Sequence, residues 1–292
     1  MVKQIHSCDT TTGTLGGADG VSLAWECRHP QGAPTLLFAH GFGQTRGAWG
    51  GSADVLAQTG CRCVTFDARG HGESGRSADG AYHMQQFIDD LAIMAAAQPE
   101  PPVLVGASMG GLLGLVLAGE RDPSPFSALV LVDITPRWES AGVERVLGFM
   151  RAHPDGFADA AEAAQAVAAY LPHREERKGA AQLEPLLRRD DDGRLRWHWD
   201  PAMLETIGEE SQRYQPRLLA ATRRVRVPVL LLSGGRSDVV SQATIDEFLA
   251  LAPQARHVEL PQATHMLAGD ANDAFMREIA RFVGTLPAMA DA

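Results

Sequence analysis

Cysteine is scarce in this chain: Cys8, Cys27, Cys61 and Cys63 are the only four, and none follows in the rest of the 292 residues. No two of them stand at the two-residue gap of a zinc knuckle or a redox motif, so neither a metal site nor a redox centre is expected. Cys61 and Cys63 flank Arg62 and should share one buried face of a strand, as inert thiols of a reducing compartment. Basic residues are also in deficit. With 26 Lys and Arg against 36 Asp and Glu, the net charge is -10 and the sequence pI about 5.4. Nucleic-acid affinity rests on neutralising phosphates, so no nucleic-acid partner is expected. Long apolar runs are missing as well: none approaches the ~20 residues of a membrane span. Residues 1–12 are polar and lack the apolar core of a secretion signal, which makes cytoplasmic residence without membrane attachment the expectation.

What is present is an ordinary globular composition, 45% hydrophobic and 21% charged, over 31.3 kDa. That suits one large α/β domain carrying an insertion or two modest domains, and length alone does not choose between them. Apolar, β-rich runs at 21–27, 35–39, 61–66, 103–105, 128–132, 228–233 and 256–260 alternate with helix-length segments at 84–97, 109–119, 242–251 and 271–283. Runs such as Ala128-Leu129-Val130-Leu131-Val132 are apolar without alternation, as strands covered on both faces by helices require. The expectation is a doubly wound, mainly parallel sheet with functional groups outside the C-terminal ends of its strands. Residues 135–224 break the rhythm with alanine-rich text at 158–169 and charged runs at 174–178 and 188–194. This stretch has no convincing strand and reads as a helical insertion. The expected division is a core domain of residues 1–134 and 225–292 with a helical cap, or lid, over 135–224.

Gly106-Ala107-Ser108-Met109-Gly110 follows a strand and opens a helix. Small neighbours permit the sharp bend that exposes a nucleophilic serine, and the helix start aims backbone N–H groups at a developing oxyanion. A serine hydroxyl needs a base, and histidine has the suitable pKa. Of the ten histidines, His265 in Pro261-Gln262-Ala263-Thr264-His265 lies in the loop after the last strand, at the catalytic edge. His257 falls inside that strand and His198 between two tryptophans of the insertion. For the carboxylate that orients the base, Asp238 is chosen as the only acid in the loop after strand 228–233. Asp133, directly after strand 128–132, is its competitor. The expected oxyanion donors are the backbone N–H groups of Met109 and of Phe42, the latter in His40-Gly41-Phe42-Gly43. Asp67 and His71, in Asp67-Ala68-Arg69-Gly70-His71-Gly72-Glu73-Ser74, are read as structural, tying down loops.

Taken together, the His40 loop, the Asp67 loop, the Ser108 turn and the late Asp238 and His265 resemble the α/β-hydrolase family. The resemblance covers about residues 20–134 and 225–285 and implies a mainly parallel sheet of about eight strands with a lid inserted after the sixth. It implies a cofactor-free serine hydrolase, since serine stands where dehalogenases and epoxide hydrolases of the family carry aspartate. The expected activity is cleavage of a small-molecule carboxylic ester through an acyl-enzyme. The alternatives are carbon–carbon hydrolysis of ring-cleavage products, cofactor-free haloperoxidase or perhydrolase chemistry, lactone or amide hydrolysis, and a ligand-sensing receptor on the same scaffold. Six aromatics of the insertion, Trp138, Phe149, Tyr170, Trp197, Trp199 and Tyr214, are candidates for an apolar pocket or for the insertion's own core.

Overall fold

The computed structural model describes residues 9–171, 179–265 and 272–287. In chain order the larger elements are β1 (Thr10–Gly16), β2 (Ser22–Arg28), β3 (Thr35–Ala39), α1 (Gly50–Gln58), β4 (Arg62–Phe66), α2 (Met84–Ala96), β5 (Val103–Ala107), α3 (Met109–Glu120) and β6 (Ala128–Val132). The insertion follows, with α4 (Ser140–Arg151), α5 (Ala160–Tyr170), the short α6 (Ala180–Leu183), β7 (Leu187–Arg189), β8 (Leu195–Trp197) and α7 (Met203–Thr222). The chain then returns through β9 (Val229–Gly234), α8 (Gln242–Leu251), β10 (Arg256–Leu260) and α9 (Asn272–Val283).

Eight strands form one sheet in the order β1-β2-β4-β3-β5-β6-β9-β10. β2 is antiparallel to both β1 and β4, and every other neighbouring pair is parallel. The non-alternating runs behave as a two-faced sheet demands. Leu37, Leu104 and Leu131 face one apolar cluster with Leu91 of α2, Leu115 of α3 and Phe248 of α8. Leu36, Phe38, Val105 and Val130 face the other, with Leu56 of α1 and Phe275 and Ile279 of α9. Successive residues thus serve opposite helical layers, which is why the central strands β5 and β6 carry no polar side chain. Cys61 and Cys63 are both buried in the second cluster, on one side as expected; Cys8 lies outside the described residues. No described helix is long and apolar enough to cross a membrane.

Two elements are illegible in the sequence. β1, Thr10-Thr11-Thr12-Gly13-Thr14-Leu15-Gly16, is mostly exposed and carries one large apolar side chain, so it has no hydrophobic pattern of its own; pairing with β2 makes it a strand. α1 carries two glycines in its first turn and only a weak apolar stripe. The insertion also departs from expectation, because it contains an antiparallel hairpin, β7 with β8, where only helices were anticipated. The charged run at 188–194 supplies it: Gly193 takes φ +79°, and Arg196 pairs with Asp190 and Asp192. The charged run at 174–178 lies outside the described residues.

α3 is buried nearly all round and uses glycine for close approach. A Cβ on Gly119 would stand 2.1 Å from the Ala221 carbonyl oxygen of α7. In an open helix Gly→Ala stabilises by about 1 kcal/mol, but here the obstacle is backbone and must move as a body. Gly119→Ala is therefore expected to destabilise by about 1–3 kcal/mol, the usual cost of overpacking. Thermal melting would show it as a lowered Tm, and an unchanged or raised Tm would mean that α7 yields freely.

Candidate active site

Because β3 to β6, β9 and β10 run parallel, the loops leaving their C-terminal ends gather on one rim, and the chemistry-bearing residues stand there. Ser108 occupies the turn between β5 and α3 at φ 45°, ψ -115°, a conformation that L-residues rarely adopt. Its neighbours permit this. A Cβ on Gly106 would lie 2.6 Å from the Gly111 nitrogen, and one on Gly110 2.4 Å from the Ala39 oxygen, so only glycine fits either position. The strained turn is the feature that lifts a serine hydroxyl into the open. The loop after β3 comes close to it: a Cβ on Gly41 would lie 3.3 Å from the Ser108 Cβ.

His265 lies in the loop after β10 and lines the same cavity as Ser108. Its Nδ1 is 2.7 Å from Oδ2 of Asp133, which is wholly buried directly after β6. Asp133 also accepts hydrogen bonds from the Gly234 N–H at 2.8 Å and the Ser237 hydroxyl at 2.5 Å. The expectation for Asp238 is therefore corrected: the structure brings Asp133, not Asp238, to His265. The Asp238 side chain is 40% exposed and pairs at 2.7 Å with Arg145 of α4, away from the imidazole. The loop after β9 still serves the carboxylate, but through Ser237 and the Gly234 amide. Both residues follow a strand that ends on the same rim, and sequence alone gave no reason to prefer the acid one residue past its strand over the acid in the longer loop.

The backbone of the His40 loop is arranged around one free donor. The N–H of Gly41 is taken by Gln44 Oε1 at 3.0 Å, that of Gly43 by His71 Nε2 at 3.1 Å and that of Gln44 by the Gly41 oxygen at 3.1 Å. The Phe42 N–H has no acceptor among the described residues, and neither does the N–H of Met109 at the start of α3. Both expected oxyanion donors are thus uncommitted. Asp67 behaves as the sequence suggested. Wholly buried, it accepts from the Arg46 N–H at 2.6 Å and the Glu73 N–H at 2.9 Å, and it pairs with the Arg46 guanidinium, tying two loops together.

Three buried imidazoles complete the rim. Each accepts one backbone N–H and donates to one backbone carbonyl, which fixes its tautomer. His40 accepts from Ala68 at 2.9 Å and donates to Gly41 at 2.8 Å; His71 accepts from Gly43 at 3.1 Å and donates to Arg69 at 2.9 Å. His198, just after β8, accepts from Gly72 at 2.9 Å and donates to Gly43 at 3.2 Å. Burial pushes all three below the ordinary histidine range, His198 to about 4, so each stays neutral near pH 7. Sequence reasoning set His198 aside as a base and missed this role; the signal it offered was a histidine between two tryptophans.

Ser108 and His265 open into a cavity of about 600 Å³ whose other wall is the insertion. Four of the six candidate aromatics, Phe149, Tyr170, Trp197 and Trp199, line it, whereas Trp138 and Tyr214 do not. They also pack on one another, with centroid separations of 4.3 Å for Phe149 on Tyr170 and 5.1 Å for Trp197 on Trp199. Trp197 and Trp199 are thus both pocket lining and core, and Phe149 packs against that core. Among the described residues no cluster of His, Cys, Asp and Glu is arranged to hold a metal ion.

Comparisons with known proteins agree with this architecture. Over 269 residues the chain is 28% identical to an sn-1-specific diacylglycerol lipase of Mus musculus, covering 86% of this chain and 81% of that protein. It is also 28% identical to a 3-hydroxybutyrate-oligomer hydrolase of Cupriavidus necator, covering 81% and 84%. Among solved structures, the thioesterase domain from the curacin biosynthetic pathway superposes with a TM-score of 0.77 at 25% identity, over 94% of this chain and 99% of that one. The family model described as alpha/beta hydrolase fold matches residues 34–271, from the start of β3 to beyond His265. With its eight-stranded sheet and its strained serine turn, the chain belongs to the α/β-hydrolase fold family.

Proposed function

We propose that the protein hydrolyses a carboxylic ester of a small molecule by acyl transfer through Ser108, with His265 as base and Asp133 as the acid that orients it. The observation that carries this reading is the His265 imidazole, held through Nδ1 by a buried carboxylate in the cavity that Ser108 enters from a strained turn. With Nδ1–H committed to Asp133, the lone pair on Nε2 is the basic one. As the serine oxygen bonds to the carbonyl carbon, its proton passes to Nε2, and the Phe42 and Met109 N–H groups receive the oxyanion. Collapse of the tetrahedral adduct breaks the bond to the leaving oxygen, which takes the proton from His265. Water then attacks the acyl-enzyme by the same route and frees the acid and Ser108. The lipase, the oligomer hydrolase and the thioesterase domain to which the chain is similar support hydrolysis, and the segment 135–224 acts in this reading as the cap that closes the site from water.

The apolar rings of the cap wall set the substrate preference. An acyl chain lying against Phe149, Tyr170 and Trp197 leaves water, at about 0.8 kcal/mol per methylene, or about fourfold in kcat/KM. In a series of p-nitrophenyl esters, kcat/KM is expected to climb by that factor per methylene from acetate until the cavity is filled. Activity that falls from acetate onward would place the acyl group elsewhere. A fluorophosphonate probe tests the central claim directly: it should modify Ser108 stoichiometrically in the folded protein. Lack of labelling would remove Ser108 as a nucleophile and favour a ligand-binding role.

A further inference from the structure

We propose that His198 is a positioning residue for the reaction, holding the Gly43 carbonyl from the cap side so that the neighbouring Phe42 N–H stays aimed at the oxyanion. This rests on the reading of Phe42 as an oxyanion donor. The loop 40–44 has no regular structure of its own, so its shape depends on what grips it. Gly43 is gripped at both polar atoms, its N–H by His71 of the core and its C=O by His198 of the insertion. It sits at φ +74°, and a Cβ there would meet Met150 at 2.9 Å and Trp199 at 3.7 Å, so the cap rests directly on this residue.

His198 is itself well fixed. It is 3% exposed, its backbone N–H donates to Leu186 at 3.0 Å, and its ring meets Trp199 edge-on at 5.3 Å. The Gly72 N–H on Nδ1 leaves Nε2 as the protonated nitrogen, the only tautomer able to hold the Gly43 oxygen. One imidazole therefore joins the cap hairpin, the Asp67 loop and the oxyanion loop. Through this contact, seating of the cap and readiness of the oxyanion donor are a single event, because a cap lifted from the core releases the Gly43 carbonyl.

Four proteins decide the matter: the wild type, His198→Phe, which keeps the ring without its nitrogens, His198→Gln, whose amide N–H reaches like Nε2, and His198→Asn, whose oxygen reaches like Nδ1. For an ester substrate, His198→Phe is expected to lose on the order of tenfold to a hundredfold in kcat, the scale of a misaimed donor, with KM within about twofold. Affinity for a trifluoromethyl ketone, whose hemiketal oxygen occupies the oxyanion position, should fall by the same factor. His198→Gln should recover most of the loss and His198→Asn little, since only the former donates to Gly43. A kcat within about twofold of wild type in His198→Phe would overturn the proposal, and so would a loss confined to KM with ketone affinity intact. Should His198→Phe fail to fold, the Gln and Asn variants carry the test, and equal activity in the two overturns it. Fluorophosphonate labelling of the wild type separates the two readings: no labelling defeats the serine mechanism itself, whereas labelling with an indifferent His198 defeats only this assignment.

Discussion

Ser108→Ala is expected to lower kcat for a carboxylic ester by on the order of a millionfold, while KM changes little. The magnitude follows from the chemistry: without the hydroxyl no acyl-enzyme forms, and what remains is water attack assisted only by binding and by the oxyanion donors. Alanine adds no bulk at a position where φ is 45° and the neighbours leave little space, so the fold should survive and the loss should be chemical. Two measurements check it. Steady-state turnover gives the factor, and mass spectrometry of the wild type with a slowly deacylated ester should show the acyl group on Ser108. A variant retaining a tenth or more of wild-type kcat would take Ser108 out of the mechanism.

Asp133→Asn should be nearly as damaging, on the order of ten-thousandfold in kcat, and Asp238→Asn should stay within a few-fold of wild type. An asparagine at 133 tolerates the left-handed backbone at φ 48°, so the loop should hold its shape. With its oxygen kept on the Gly234 N–H, the asparagine puts its NH₂ where Oδ2 stood, facing both the Ser237 hydroxyl, which can turn to accept, and His265, and so forces the imidazole into the tautomer whose Nε2 is protonated and useless as a base. Asp238, by contrast, makes one half-exposed ion pair with Arg145, a class of interaction worth about 0–1 kcal/mol. Circular dichroism should find both variants folded. Equal activity in the two, or the larger loss at Asp238, would return the orienting role to the loop after β9.

The sequence was legible wherever local chemistry is decisive. The non-alternating apolar runs announced the central parallel strands, the Gly106 to Gly110 pentapeptide its strained turn, and the glycines around Phe42 a loop that approaches the site closely. It was silent where an element depends on its partner. β1 is a strand because β2 offers a ladder, and the hairpin β7–β8 exists because a charged run happens to alternate across a tight turn. The aromatic residues of the insertion could be named but not sorted, since whether a ring faces a cavity or a neighbouring ring is a question of packing.

The sequence by itself determined the class of fold, the serine at its turn and the histidine after the last strand, because each follows from residue types at short spacing along one chain segment. Tertiary structure alone decided which carboxylate meets His265 and which histidine of the insertion grips the loop after β3. Asp133 and Asp238 both follow strands that end on one rim, and only the path of the backbone between them, with Ser237 and the Gly234 amide turned toward Asp133, separates a buried acid from an exposed ion pair. His198 lies 155 residues from the carbonyl it holds, a distance over which no local pattern carries information.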